Sequence, residues 1–565
     1  MAGLLRNSRS PVAALRRLEA LRLEFGPDSG AAKSQLLRSL VRGRLGSRQT
    51  LLRLHEQLCF MRAYPDDRAV LERVTAMLRA FARRSDLRAH SAAFADSGIA
   101  GTRICYRFYW PTARRLASLW PRQLDIDWDA LQDQGPLSAA LALLVTPLEA
   151  AWLRGRNPDL KTAIEKMNGD KIGAAAFLVR RIEAMPGEDF THEAFADALD
   201  TPMVITPGPD TPSRTLSWHA QSPVVFTHAP LRRNRPDLRI EIERPPRAVR
   251  AASPLEGAHL IKLALTALVT RSRDIDGIAY GNPRDVCIAD DSQGLQWAFI
   301  GLVPERRQLL RASHGFVTLK NGVPIGYGQM DTLFGCADVS FNSFDTFRGA
   351  ETAWIFSRLL AATKAVLGAR AFTLDGYQVG HHNEEAIASG AWWFYYKLGF
   401  RPREAATRNL ANAELARMQI KPLHRSSAAT LRKLAADTMV LETQGMRAPR
   451  WEKLAEMGSL AAGRIAAMGN GNRETGLQEC SRAAMRQLGL RNLKQAGGNP
   501  TDARRAWDAW APLVSLIPLG RWSAGERRAL ADVILAKGGT SEREYLARFD
   551  AHPKLANSLR ALTRV

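Results

Sequence analysis

The segment FVTLKNGVPIGYGQM, residues 316–330, constrains the fold more than any other stretch of this chain. Two runs of β-forming residues flank Asn321-Gly322, and a two-residue Asn-Gly turn suits the type I′ hairpin, whose twist matches that of the paired strands. Upstream, LQWAFIGL (295–302) reads as a strand and PERRQLLRAS (304–313) as a helix. Downstream come a strand, ADVSFNSFDTF (337–347), and an amphipathic helix, AETAWIFSRLLAATKAVLG (350–368). On that helix Ile355, Leu359, Leu360, Val366 and Leu367 can share one buried face. AFTLDGYQV (371–379) reads as a further strand, and GAWWFYYKLGFRP (390–402) as a helix that Gly399 ends in a left-handed conformation. The order β-α-β-β-β-α-β-α predicts a central sheet with helices packed on it.

The flanking regions have a different texture. Residues 1–185 carry apolar residues at spacings of three and four, as in SPVAALRRLEALRLEF and DDRAVLERVTAMLRAFARR, and read as helices. Ser10 and Pro11 mark the start of the first, and Glu19 and Glu24 argue against a transit signal there. Residues 186–254 form a proline-rich, partly β connecting segment. Within it, PVVFTHA (223–229) and DLRIEIERPP (237–246) are β-like, since Leu238, Ile240 and Ile242 alternate with charges. A helix, PLEGAHLIKLALTALVTRSR, then opens the α/β domain, residues 255–403. Residues 404–565 are helical again, and SAGE (523–526) and SERE (541–544) have capping-box spacing. The expected fold class is multidomain and mainly α, with one α/β domain between helical N- and C-terminal regions.

Composition narrows the function classes. No window approaches the ~18 uncharged apolar residues that a membrane span needs. The five cysteines are scattered without a CxxC pair, giving neither a disulfide framework nor a zinc site and fitting a reducing cytoplasm. Adjacent His381 and His382, with Asp375 and Glu385, lack metal-site spacing. GNGNRETG (469–476) lacks the Lys-Ser/Thr of a P-loop and reads as a helix–helix connection. Lys and Arg exceed Asp and Glu by 79 − 56 = 23, a field that attracts acidic partners such as nucleic acid or phosphorylated ligands.

Between residues 295 and 402 the order and several motifs resemble the GNAT superfamily of acyl-CoA-dependent N-acyltransferases. LKNGVPIGYG is similar to that family's second and third strands. FDTFRGAETA sits where its acyl-CoA loop follows the fourth strand, and NEEAIASGAWWFYYKLGF resembles its Asn-x-x-Ala … Tyr-x-Lys-x-Gly-Phe ending. The resemblance implies acetyl-CoA or another acyl-CoA as co-substrate and an amine as acceptor. It implies a pyrophosphate cradle at Arg348, Gly349, Ala350, Thr352 and Ala353, where a helix start presents unpaired N–H groups. It also implies Tyr395, with Tyr396 as its rival, as the acid that protonates the departing thiolate.

Three features depart from the family. Glu351 stands where the family has a glycine, Asn383 lies farther from Tyr395 than usual, and REAATRNLANAELARMQ follows GFRP as helix where a strand is expected. The wide spacing predicts a helix extended at its start. The sheet is then either truncated or completed from the 220–245 region. Asp375 is the leading candidate for the base that deprotonates the acceptor, with Glu384 and Glu385 as alternatives. The competing expectation is a degenerate scaffold in a basic binding protein, with aromatic and basic stretches such as RICYRFYWPTARRLASLWPRQ (103–123) holding a nucleic acid. The plainer expectation for that stretch is an amphipathic helix with snorkelling arginines.

Overall fold

The computed structural model describes residues 10–169, 171–443, 447–451, 453–490 and 500–563. These residues are mainly helical, with one nine-stranded mixed sheet and one three-stranded sheet among them. Helices α1 (Pro11–Ala20), α2 (Pro27–Arg42), α3 (Arg48–Ala63) and α4 (Arg68–Ala80) begin the chain. They pack around an apolar cluster of their own that includes Leu15, Leu37, Leu54 and Val74. Ser10 precedes α1 as expected, but its hydroxyl makes no cap bond.

Helices alone were expected before residue 185, yet β1 (Ile104–Tyr106) and β2 (Leu124–Ile126) are strands. Each is only three residues long and exists because β3 (Met203–Ile205) lies between them and pairs with both.

The large sheet comprises β4 (Ala248–Ala251), β5 (Gly281–Asp290), β6 (Leu295–Leu302), β7 (Ala312–Lys320), β8 (Val323–Leu333), β9 (Cys336–Ser343), β10 (Ala371–Leu374), β11 (Arg401–Pro402) and β12 (Met439–Glu442). Strands β4 to β9 run as an antiparallel meander. The β7–β8 hairpin turns at Asn321 (φ 49°) and Gly322 (φ 75°), both left-handed as a type I′ turn requires. A Cβ on Gly322 would lie 2.3 Å from the His219 carbonyl, so the position admits only glycine.

Several local expectations are corrected. Residues Leu238–Glu243 form helix α5, not a strand. Asp237 accepts from the Arg239 N–H, and Leu238 and Ile242, four residues apart, are the buried pair while Ile240 is exposed. Residues 223–229 form no strand. Only Pro304–Arg306 of the expected helix is helical, as a single 3₁₀ turn before β7. The sheet is not completed from residues 220–245. It is completed by β12, which pairs antiparallel with β10 on one side and β11 on the other.

Helix α6 (Pro254–Val269) and the turn Asp276–Ala279 pack on one face of the sheet, Gly277 closing on Gly315. Helix α7 (Thr352–Leu367) and helix Glu542–Asp550 pack on the other. Phe356 of α7 meets Phe341 of β9 at 5.3 Å between ring centroids. Alternation along the strand then turns Ser340 and Asn342 to the opposite face. One apolar cluster runs from Phe60 through the sheet to Leu559, joining the terminal regions to the α/β centre. Ser523 makes the expected capping box with Glu526. Ser541 caps its helix without reciprocation, because Glu544 turns to Arg548.

The aromatic run is not one extended helix. Helix α8 (Glu384–Ser389) ends at Gly390 (φ 68°), where α9 (Ala391–Leu398) starts, and Gly399 (φ 117°) closes α9.

Candidate functional site

The site arises where two parallel strands part. β10 pairs with β9 for only three residues, Ala371 to Thr373 against Cys336 to Asp338, and then ends, while β9 runs on to Ser343. Crevices at the carboxyl ends of parallel strands are where α/β sheets bind ligands. A cleft of roughly 610 Å³ opens there. It is lined by Ser340–Ser343 of β9, the loop into α7, Gln378, Asn383, Tyr395, and two arginines from the connecting segment, Arg232 and Arg233.

The residues expected to cradle a phosphate lie together on this wall. Beyond β9 a 3₁₀ turn, Asp345–Phe347, leads to Gly349 (φ 79°), whose Cβ position faces open space, and α7 begins at Thr352. The first intrahelical bond into the Glu351 carbonyl comes from Ile355, so the amides of Thr352, Ala353 and Trp354 have no carbonyl within the helix. A helix of 16 residues adds its positive dipole end at this point. Thr352 Oγ1 is buried and has no hydrogen-bond partner among the described residues.

Arg348 is committed to protein partners. It pairs with Asp345 (2.7 Å) and Glu385 (2.7 Å) and donates to the Ser343 carbonyl (3.2 Å). Glu385 also pairs with Arg273 at 2.8 Å, and the Arg348 hydrogen bond leads in holding its carboxyl below the usual range. Glu351 is buried and lies on the cleft lining, with its carboxylate engaged by protein groups. Its Oε1 accepts from the Arg232 main-chain N–H (3.1 Å) and its Oε2 lies 3.5 Å from Lys320 Nζ. Burial pushes the Lys320 pKa down, with Glu351 opposing that shift.

The N-terminal helices back the loop. Phe60 of α3 stacks on Phe347 (6.3 Å), Arg22 donates to the Thr346 carbonyl, and the Thr346 hydroxyl donates to Glu56. Arg271 lies 3.7 Å from the Phe344 ring centroid, its pKa pushed down to about 9 by burial.

On the facing wall, Tyr395 is buried and its oxygen accepts a 2.8 Å hydrogen bond from Gln378 Nε2. Gln378 Nε2 also donates to the Phe341 carbonyl, and its Oε1 accepts from Ser340 Oγ, which fixes the amide's orientation. Burial pushes the phenol's pKa well up, so Tyr395 keeps its proton. Tyr396 instead stacks on Trp392 (5.1 Å) and lies against Arg401. The tryptophans tie α9 to the C-terminal region, Trp392 to the Leu434 carbonyl and Trp393 to Ser426.

Asp375 is not on the strand beside the cleft. β10 ends at Leu374, and exposed Asp375 caps the next turn by accepting from the Tyr377 N–H. Exposed Glu384 pairs with Arg432. Asn383 reaches the cleft and also caps α8. Among the described residues no three His, Cys, Asp or Glu gather to hold a metal.

Sequence reasoning missed Gln378 and the Arg232–Arg233 pair, which line the cleft, and Asp338, which lies two residues before the lining begins on β9. Asp338 shares a strand face with Ser340, accepts from Thr373 Oγ1 (2.6 Å), and has its pKa lifted to about 7 by burial. No family model, curated protein or solved structure matches this chain.

Proposed function

We propose that the protein is an acyl-CoA-dependent N-acyltransferase that moves an acetyl or similar acyl group directly to an amine. The observation that carries this is the cleft itself, with a helix N-terminus on one wall and a protonated, oriented tyrosine on the other. In this reading the pyrophosphate rests on the amides that start α7. The pantetheine arm lies along the β9 edge that β10 leaves uncovered, where an extended ligand can pair like an added strand.

The amine nitrogen attacks the thioester carbonyl, a C–N bond forms and the C–S bond breaks. The leaving thiolate takes the Tyr395 proton. Because Gln378 donates to the Tyr395 oxygen, the phenolic hydrogen is available to point elsewhere, toward a sulfur in the cleft. The acceptor's surplus proton passes to a carboxylate, directly or through water. Neither Asp375 nor Asp338 lines the cleft; Asp338, two residues before Ser340 on the same strand face and with its pKa lifted to about 7 by burial, would take the proton through water, whereas Asp375 is exposed.

The alternative, a scaffold holding nucleic acid, has the net charge of +23 in its favour. The stretch offered for it is largely turned to internal contacts. Arg107 pairs with Asp200, Arg114 with Glu183, and Arg115 donates to the carbonyls of Ala279 and Gly281. Thiol release from acetyl-CoA in the presence of a panel of amines tests the proposal. Amine-dependent release supports it, and release no faster than spontaneous hydrolysis with every amine argues for the scaffold.

A further inference from the structure

Glu351 occupies the position where a small residue would leave the cradle open, and its carboxylate holds a neighbouring segment in place. Residues 231–236 run between the two helices that carry the cleft's opposite walls, with Arg232 and Arg233 on the lining. At one end Leu231 packs on the core and the Arg232 N–H donates to Glu351 at the start of α7. At the other, Arg235 Nη1 donates to the Lys397 carbonyl (3.2 Å) near the end of α9, the helix of Tyr395. The Arg232 guanidinium lies 4.8 Å from the Trp354 ring centroid, a cation–π contact that fixes it beside the first turn of α7.

The charges assign a purpose to this strap. Arg348 is neutralised by Asp345 and Glu385, and Lys320 by Glu351. Arg232 and Arg233 line the cleft, are exposed, and among the described residues have no carboxylate partner. They are therefore the cations left to meet an anion there. A guanidinium fork matches a phosphate bidentately.

We infer that residues 231–236 form a basic strap in which Arg232 and Arg233, rather than Arg348, hold the phosphates of the acyl-CoA, with Glu351 as the strap's anchor. This rests on the acyl-CoA reading of the cleft and deepens it. Phosphate recognition is thereby shared between the α/β centre and the connecting segment before it. The residue that departs from a glycine is a working part of the site.

The test is calorimetric titration with free CoA, and with pantetheine as a phosphate-free control. Four proteins are compared: wild type, R232Q/R233Q, R232K/R233K and K320M/E351G. The last removes the buried pair together, so neither charge is left uncompensated, and places a glycine at 351. R232Q/R233Q should bind CoA at least about tenfold more weakly, with pantetheine affinity unaltered and the kinetic loss falling on KM rather than kcat. R232K/R233K should recover part of the affinity, which a merely structural role would not. K320M/E351G should also bind CoA more weakly, despite its more open loop. Wild-type affinity in R232Q/R233Q would overturn the strap while leaving the acyl-CoA reading standing. Tighter binding by K320M/E351G would make Glu351 an obstruction instead of an anchor. Wild-type protein that binds no CoA would remove both the strap and the reading beneath it.

Discussion

Gln378 Nε2 lies 2.8 Å from the phenolic oxygen of Tyr395 and 2.8 Å from the Phe341 carbonyl, so one side-chain amide joins the edge of β9 to α9 across the cleft. The bond makes the Tyr395 oxygen an acceptor and leaves its hydrogen free to point elsewhere, which under the proposed acyl transfer is the leaving thiolate. Tyr395→Phe should therefore lower kcat by about 100-fold, the lower end of what a positioned general acid contributes, with the CoA Kd unchanged within about twofold. Gln378→Leu should lower kcat by a smaller factor, since it loosens the phenol without removing it. Steady-state kinetics with parallel calorimetry checks both; equal loss of CoA binding in Tyr395→Phe would place the residue in binding rather than proton transfer.

The pKa of Asp338, lifted to about 7 by burial, predicts two opposite pH trends. As a base it must be ionised, so kcat/KM should rise through about pH 7, and Asp338→Asn should abolish that limb. For stability the sign is reversed. A carboxyl whose folded pKa is raised keeps its proton when the unfolded chain has lost its own, so its contribution is full below the ordinary value of 3.8 and is lost as pH rises through about 7. Asp338→Asn should flatten that decline, read as Tm against pH between 4 and 8; an unchanged slope would show that Asp338 titrates normally.

Phe60 and Phe347 make the N-terminal helices part of the cradle's support. Phe60→Ala should destabilise the protein by about 3–5 kcal/mol, as large-to-small core changes do. It should also weaken CoA binding, because the loop behind Gly349 loses its backing. Urea unfolding and calorimetry separate the two effects, and undiminished CoA affinity in the folded variant would show that the loop holds its shape alone.

Gly322→Ala should cost at least about 2 kcal/mol, from a left-handed residue and the overpacking of its Cβ against the His219 carbonyl. A midpoint in urea unchanged from wild type would mean that the hairpin turn is not under the constraint described.

How far the sequence discloses this fold depends on the range of the interactions. The β7–β8 hairpin was legible because Asn321-Gly322 dictates its own turn. Helix α7 was legible because Ile355, Leu359 and Leu360 repeat at helical spacing. Helix α5 was misread because Leu238, Ile240 and Ile242 satisfy a period of two, while burial selected only the pair four apart. Strands β1, β2 and β12 were illegible because each is three or four residues long and is fixed by a distant partner. The same holds in the cleft. Arg348, Gly349 and Tyr395 could be picked from motifs. Nothing local marks Arg232, whose partner is 119 residues away, or ties Gln378 to a tyrosine 17 residues on.

The most direct measurement is calorimetric titration of the protein with acetyl-CoA and with free CoA at low and high salt. Saturable binding at micromolar concentrations that is weakened but not lost in high salt, and that Gly349→Trp removes by filling the open space beside the cradle, is the predicted result. No binding at millimolar ligand, together with salt-sensitive binding of nucleic acid, would contradict it.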